Sequence, residues 1–141
     1  MKYYAVVDTN VLVSALLSKK DDAATVQVFQ RILVGDVIPL YSNDTMAEYR
    51  EVLARKKFKF DIEVVDYVLS AIEKFGILVT PSSTGALLPD LDDLPFYEIV
   101  LERIEDNPYL VTGNIKHFTK ERFVVTPSEF LAIINASTFF Y

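Results

Sequence analysis

The sequence predicts an α/β protein, a three-layer α/β/α sandwich around a mostly parallel sheet of four to five strands. Three observations carry this. Short apolar or β-branched runs alternate along the whole chain with longer stretches of helical periodicity, the pattern of a parallel sheet covered on both faces. No internal repeat and no domain-sized linker interrupts the alternation. The length of 141 residues, 51% of them hydrophobic, suits one packed domain with a sizeable core.

The elements follow in order. Tyr3–Val7 reads as a strand and is followed by a helix starting near Val11. After the polar break Ser18-Lys19-Lys20-Asp21-Asp22, residues Ala23–Val34 carry Val26, Phe29, Ile32 and Leu33 at helical spacing, and Gly35-Asp36 ends them. Val37–Tyr41 is a second strand. Ser42 is a suitable N-cap for a helix through about Arg55, with Met46, Tyr49, Val52 and Leu53 on one side. Asp61 caps a further helix with the stripe Ile62, Val65, Val68, Leu69, Ile72 and Phe75; Gly76 stops it before a strand at Ile77–Val79. A loop rich in turn residues leads to Asp93 and Pro95, which open a helix through about Glu105 buried by Phe96, Ile99, Val100 and Ile104. A turn at Glu105-Asp106-Asn107-Pro108 precedes strands at Tyr109–Val111 and Phe123–Val125. Thr126-Pro127-Ser128-Glu129 is a complete helix start, and Phe130, Leu131 and Ile134 form the buried side of the closing helix.

Composition narrows the chemistry. The absence of cysteine excludes disulfides and thiolate metal sites, and a lone histidine, His117, excludes a multi-histidine zinc site. A metal here must be held by oxygen, which favours Mg²⁺ or Mn²⁺. The net charge of −6 argues against a general nucleic-acid binder unless the acids are concentrated in one site. Asp8 breaks the first apolar run, so the N-terminus does not read as a signal peptide. No apolar stretch approaches the roughly 18 residues of a membrane span. The expectation is a cytoplasmic protein without a membrane partner.

In open parallel sheets ligands bind beyond the carboxyl ends of the strands, near the point where strand order reverses. The polar residues in those places are Asp8, Thr9 and Asn10 after the first strand, and Thr112, Gly113 and Asn114 after the fourth. The helix from Ser42 adds Glu48, and the densest acid cluster, Asp90, Asp92 and Asp93, precedes the helix from Leu94. If Asp8, Glu48 and Asp93 meet, each raises the others' pKa, and a divalent cation removes the conflict. Such an ion lowers the pKa of a bound water and stabilises a leaving oxygen, which fits phosphodiester hydrolysis. Taken singly, each residue has a plainer reading. Asp8 and Asp93 could cap helices, Glu48 could lie on the surface, Asp90 and Asp92 could be solvated, and Thr112-Gly113-Asn114 is a common turn. Four such coincidences in one order favour a site.

The segments VVDTNVLVSALL, EYREVL, DLDDLPFYEIV and YLVTGNIKHF, in this order and spacing, closely resemble the PIN domain, in particular its bacterial and archaeal branch of VapC-like toxin components of toxin–antitoxin systems. The resemblance spans the chain from Lys2 to the helix after Pro127. It implies an endoribonuclease dependent on Mg²⁺ or Mn²⁺, with RNA as substrate, a cognate antitoxin as partner, and a homodimer. Carried over by position, it makes Asp8, Glu48 and Asp93 the catalytic and metal-binding acids, with Asn10 and Thr112 in support. A fourth acid is common in the turn after the fourth strand; this chain has Asn114 there, which brings no charge, and Asp92 or Glu98 would have to compensate.

Basic residues cluster at Lys19-Lys20 and at Arg50, Arg55, Lys56, Lys57 and Lys59. They read as solvated helix ends or as a phosphate track toward the acids. Lys116 and His117 are further candidate RNA contacts, and His117 reads as a surface loop residue rather than a general base. The closing Ser-Thr-Phe-Phe-Tyr completes the core or forms part of a dimer surface. Two other functions compete. One is a PIN fold retained as a non-catalytic RNA- or protein-binding module, which Asn114 would suit. The other is a haloacid-dehalogenase-like phosphatase, which would want acids where Asn10 and Asn114 stand.

Overall fold

Ala5, Val6 and Val7 leave almost nothing to solvent on either side of their strand, so the first strand must be internal to the sheet. The computed structural model, which describes residues 2–83, 88, 91–118 and 121–138, places it at the centre. Strand β1 (Tyr3–Val7) pairs in parallel with β2 (Val37–Tyr41) on one side and with β4 (Tyr109–Val111) on the other. The two-residue strands β3 (Ile77–Leu78) and β5 (Val124–Val125) complete the order β3-β2-β1-β4-β5, parallel throughout. The register sets Val6 against Leu110 and Val7 against Val111, so β1 and β4 end side by side. The direction of strand addition reverses between these two.

Among the described residues, six α-helices connect and cover the strands: α1 (Thr9–Leu17), α2 (Ala24–Leu33), α3 (Asn43–Leu53), α4 (Ile62–Phe75), α5 (Leu94–Glu102) and α6 (Pro127–Thr138). Helix α2 packs between α4 and α6 over one face, while α5 lies across β1, β2 and β4. The three-layer α/β/α arrangement is therefore present. Phe130 on α6 is fully buried and meets the rings of Tyr3 and Tyr109 at centroid distances of 6.4 and 5.5 Å.

The expected helix starts hold for definite reasons. Thr45 N–H donates to Ser42 Oγ (3.1 Å) and Ser42 N–H to Thr45 Oγ1 (2.9 Å), a reciprocal cap that satisfies two otherwise orphaned donors. Asp61 accepts from Glu63 N–H at 2.9 Å. Thr126 and Glu129 form the same kind of box, with bonds of 2.9 and 3.1 Å.

Several boundaries differ. The first helix begins at Thr9 rather than near Val11. Helix α3 stops at Leu53 instead of about Arg55, and the third strand ends at Leu78. Helix α5 stops at Glu102 rather than about Glu105. Ile104–Asp106 tightens into a 3₁₀ turn held by an Arg103–Asp106 pair at 2.6 Å, and Asn107 turns left-handed (φ 53°) ahead of Pro108. Ile62 and Phe75, expected in the buried stripe of α4, are exposed at 74% and 37%, because the stripe closes over Val65, Val68, Leu69 and Ile72 between them. Asp90 and the closing Phe139, Phe140 and Tyr141 lie outside the described residues.

Gly76 is required by close approach. A Cβ there would fall 2.4 Å from the Ile72 carbonyl oxygen and 2.5 Å from that of Pro39, both backbone atoms. Gly76→Ala is therefore expected to lower the unfolding free energy by about 1–3 kcal/mol through overpacking. Ser42→Ala should cost about 1 kcal/mol through the lost cap. Chemical denaturation of the two variants beside the parent measures both.

Candidate active site

The site grows from the point where β1 and β4 end together. Asp8 follows the last residue of β1, and its N–H donates to the Val111 carbonyl at 2.9 Å, which ties the two strand ends. The carboxylate is buried, with 5% of the residue exposed. Asp8 occupies the N-cap position of α1, yet its side chain makes no capping bond. Instead Oδ2 accepts from Thr112 Oγ1 (2.6 Å) and from Asn10 Nδ2 (2.9 Å). The carboxylate is thus held by a clamp that joins the first turn of α1 to the end of β4, not by a capping bond of its side chain. Asn10 completes the clamp by accepting at Oδ1 from Gly113 N–H (3.1 Å), and Thr112 Oγ1 accepts from Asn114 N–H (3.0 Å).

Helix α3 is fixed to the same point by consecutive residues. Tyr49, fully buried, donates its hydroxyl to the Val7 carbonyl, one residue before Asp8. Burial, and after it the negative charges of Asp8 and Glu48, push the Tyr49 pKa far up, so the hydroxyl stays a donor. The neighbouring Glu48 accepts from the Thr9 hydroxyl. Asp93 ends the 3₁₀ turn Leu91–Asp93 that runs into α5. It is buried, makes no capping bond, and lies with Oδ2 3.1 Å from His117 Nδ1.

The electrostatics follow from this crowding. Burial raises the pKa of Asp8, against the opposing pull of the Thr112 hydroxyl, the Thr9 backbone, Asn10 and the nearby His117. Burial also raises Glu48; the Thr9 hydroxyl opposes it, and the charges of Asp8, Asp92 and Glu51 raise it further.

The structure thus brings Asp8, Glu48, Asn10 and Thr112 together at the end of β1 and β4, with Asp93 linked to them through His117 and exposed Asp92 close enough to act on Glu48. Asn114 joins through its backbone N–H, and Glu98 lies part-buried further along α5. Among the basic residues, Arg50 pairs with Glu73 (3.0 Å) and Arg55 with Glu51 (3.0 Å), whereas Lys19, Lys20, Lys56 and Lys116 are exposed. Three contacts escaped the sequence reading: the Thr9–Glu48 bond, the Tyr49 hydroxyl on Val7, and the approach of His117 to Asp93. Thr9 stood beside Asp8 in the polar list, but Tyr49 read only as one of an apolar stripe. His117 read as a surface loop residue; in fact it is only part-exposed, because the 3₁₀ turn Ile115–His117 directs its ring toward α5.

Among the described residues, no three acid or imidazole groups converge closely enough to enclose an ion by themselves. The donor set nevertheless fits a hard cation that keeps most of its water. The acids are buried or part-buried, two are held above their ordinary pKa, and the ligands on offer are oxygens.

The model of the PIN domain family matches residues 4–116, more than half of the chain. The chain belongs to the PIN domain family. PIN domains are generally metal-dependent nucleases, and the parallel sheet with its acids beyond the strand ends is the corresponding nuclease-type fold. The haloacid-dehalogenase-like alternative is left without support. No curated protein and no solved structure matches the chain. No helix among the described residues of this PIN domain is long and apolar enough to cross a membrane.

Because the folded protein holds Asp8 above the ordinary aspartate pKa, the unfolded chain gives up its proton first. Stability of the metal-free protein should fall as pH rises from the ordinary range through the raised folded value, then level off. Asp8→Asn keeps an acceptor for Thr112 and Asn10 but removes the buried charge. Its melting temperature at pH 7 should exceed that of the metal-free parent, and the gap should close on acidification; thermal unfolding across pH in EDTA checks this.

Proposed function

We propose that this PIN domain is a metal-dependent endoribonuclease that hydrolyses RNA phosphodiester bonds, acting as the toxin component of a toxin–antitoxin pair. The observation that carries the catalytic part is Asp8. It is a buried carboxylate at the switch point, clamped by Thr112 and Asn10, close enough to Glu48 and to His117, the partner of Asp93, for their charges to interact.

Asp8, Asp93 and Glu48 would hold Mg²⁺ or Mn²⁺. Bound there, the ion supplies the charge that phosphate oxygens need and acidifies an attacking water. The chain's own residues do the rest. Thr112 and Asn10 fix the Asp8 carboxylate from two directions, and the Thr9 hydroxyl fixes Glu48. Glu48 is the most exposed of the three acids, and where it meets the ion through a water its carboxylate would take that water's proton. Next to the Asp8 clamp, at Asn10 and Asn114, opens a cleft of about 500 Å³ of mixed lining, in which Ser14, Thr25 and Ser128 alternate with Val11, Ala24 and Pro127 and would offer hydrogen bonds to a ribose–phosphate backbone. The exposed Lys19, Lys20, Lys56 and Lys116 supply sequence-independent, salt-sensitive attraction that the net charge of −6 otherwise denies.

A protein partner is supported by a different surface. An apolar groove of about 220 Å³ runs between α1, α2 and α4, lined by Leu12, Leu16, Phe29, Val64 and Tyr67, with Leu17 and Ile62 exposed close by in sequence. An antitoxin segment with an apolar helical face would cover it. Homodimerisation and a cytoplasmic location belong to the same reading. The competing reading, a binding module without chemistry, is favoured by Asn114, where a carboxylate would add charge.

RNA cleavage should require Mn²⁺ or Mg²⁺, stop in EDTA, and fall at least about a hundredfold in Asp8→Ala and in Asp93→Ala. Cleavage by both variants at the parental rate would refute the site. A parent that binds RNA without cutting it in either metal would establish the binding module instead.

A further inference from the structure

Residues 112–117 form one strap across the pocket. Thr112 donates to Asp8, Asn114 N–H donates back to Thr112 Oγ1, Gly113 N–H reaches Asn10, and His117 N–H donates to the Asn114 carbonyl at 2.9 Å. The strap starts at one acid and ends at another, since His117 Nδ1 lies 3.1 Å from Asp93 Oδ2. Its two ends differ in character. Asp93 is buried, with 12% of its side chain exposed, while the His117 side chain keeps 45%. The ring therefore reaches inward from the rim. Beside an ionised Asp93, which only accepts hydrogen bonds, Nδ1 is the donor of this contact.

We infer that His117 is a positioning residue for Asp93. It donates from Nδ1 to Oδ2, fixes the carboxylate plane, and so sets how Asp93 is presented to a divalent cation. This rests on the nuclease reading above. Acids that hold metals depend on outer hydrogen bonds for their orientation, and loss of such a partner typically weakens metal binding. Nothing else about the role requires an imidazole. Asparagine places an amide N–H close to where Nδ1 stands, whereas alanine places nothing there and glutamine carries its amide further out.

The test is a calorimetric titration of the full chain with Mn²⁺, comparing the parent with His117→Ala, His117→Asn and His117→Gln. Thermal unfolding of each variant confirms the fold. His117→Ala and His117→Gln should bind Mn²⁺ about 10- to 100-fold more weakly. His117→Asn should bind Mn²⁺ within about threefold of the parent, because one N–H at that position suffices. Parental affinity in His117→Ala would overturn the inference alone. So would an asparagine variant as weak as alanine, which would make the ring itself a ligand or proton carrier. A parent that binds no Mn²⁺, with or without RNA, would overturn the nuclease reading and this inference together.

Discussion

The buried carboxylate of Asp8 sits at the end of the central strand, where the two directions of strand addition part. A charge in that position is costly unless hydrogen bonds and a counter-charge offset it. Much of the surrounding construction supplies the hydrogen bonds. Thr112 comes from the end of β4, Asn10 from the first turn of α1, and the Asp8 N–H ties back to Val111. These contacts join two strands that neighbour each other but stand far apart in sequence, so the register of β1 against β4 and the geometry of the pocket are one constraint. The bonds lower the cost without cancelling it, and the pKa of Asp8 stays raised. The residual is what a cation would relieve.

The same point organises the helices. Tyr49 hangs α3 on the Val7 carbonyl, and its neighbour Glu48 is turned to the Thr9 hydroxyl. A core aromatic and a candidate site acid are thereby set by one helix orientation, so repacking Tyr49 also moves Glu48. From the other side, the turn after β4 carries Asn114 where a fourth acid is common, and three residues later His117 meets Asp93. The pocket is built with fewer charges and more neutral hydrogen-bond donors than a four-acid site would have. That suits an ion which retains several waters and takes further ligands from phosphate.

What could be read in the sequence was what local chemistry dictates. The caps at Ser42, Asp61 and Thr126 announced their helices because short polar side chains satisfy orphaned N–H groups at those positions. The parallel sheet followed from the alternation of strands and helices, Asp8 and Glu48 stood out as acids among apolar residues, and Asp93 as part of the densest acid cluster. The rest depended on long-range geometry. The end of α5 was misjudged because Ile104 continues the apolar period while the backbone has already tightened into a 3₁₀ turn. Ile62 and Phe75 extend the apolar period of α4, but the helix outruns the surface available to bury them. Tyr49 was legible as core, whereas its hydroxyl bond to a carbonyl 42 residues away was not. His117 read as a surface loop residue because only the fold places α5 beside the turn that carries it.

The central claim is that Asp8, Glu48 and Asp93 serve one divalent cation, and anomalous diffraction from crystals grown with Mn²⁺ tests it most directly. A manganese peak coordinated directly by Asp8 and Asp93, with Glu48 bound directly or through a water, is expected. Crystals in which Mn²⁺ lies elsewhere, or in which Asp8 keeps only Thr112 and Asn10 as partners at saturating Mn²⁺, would contradict it.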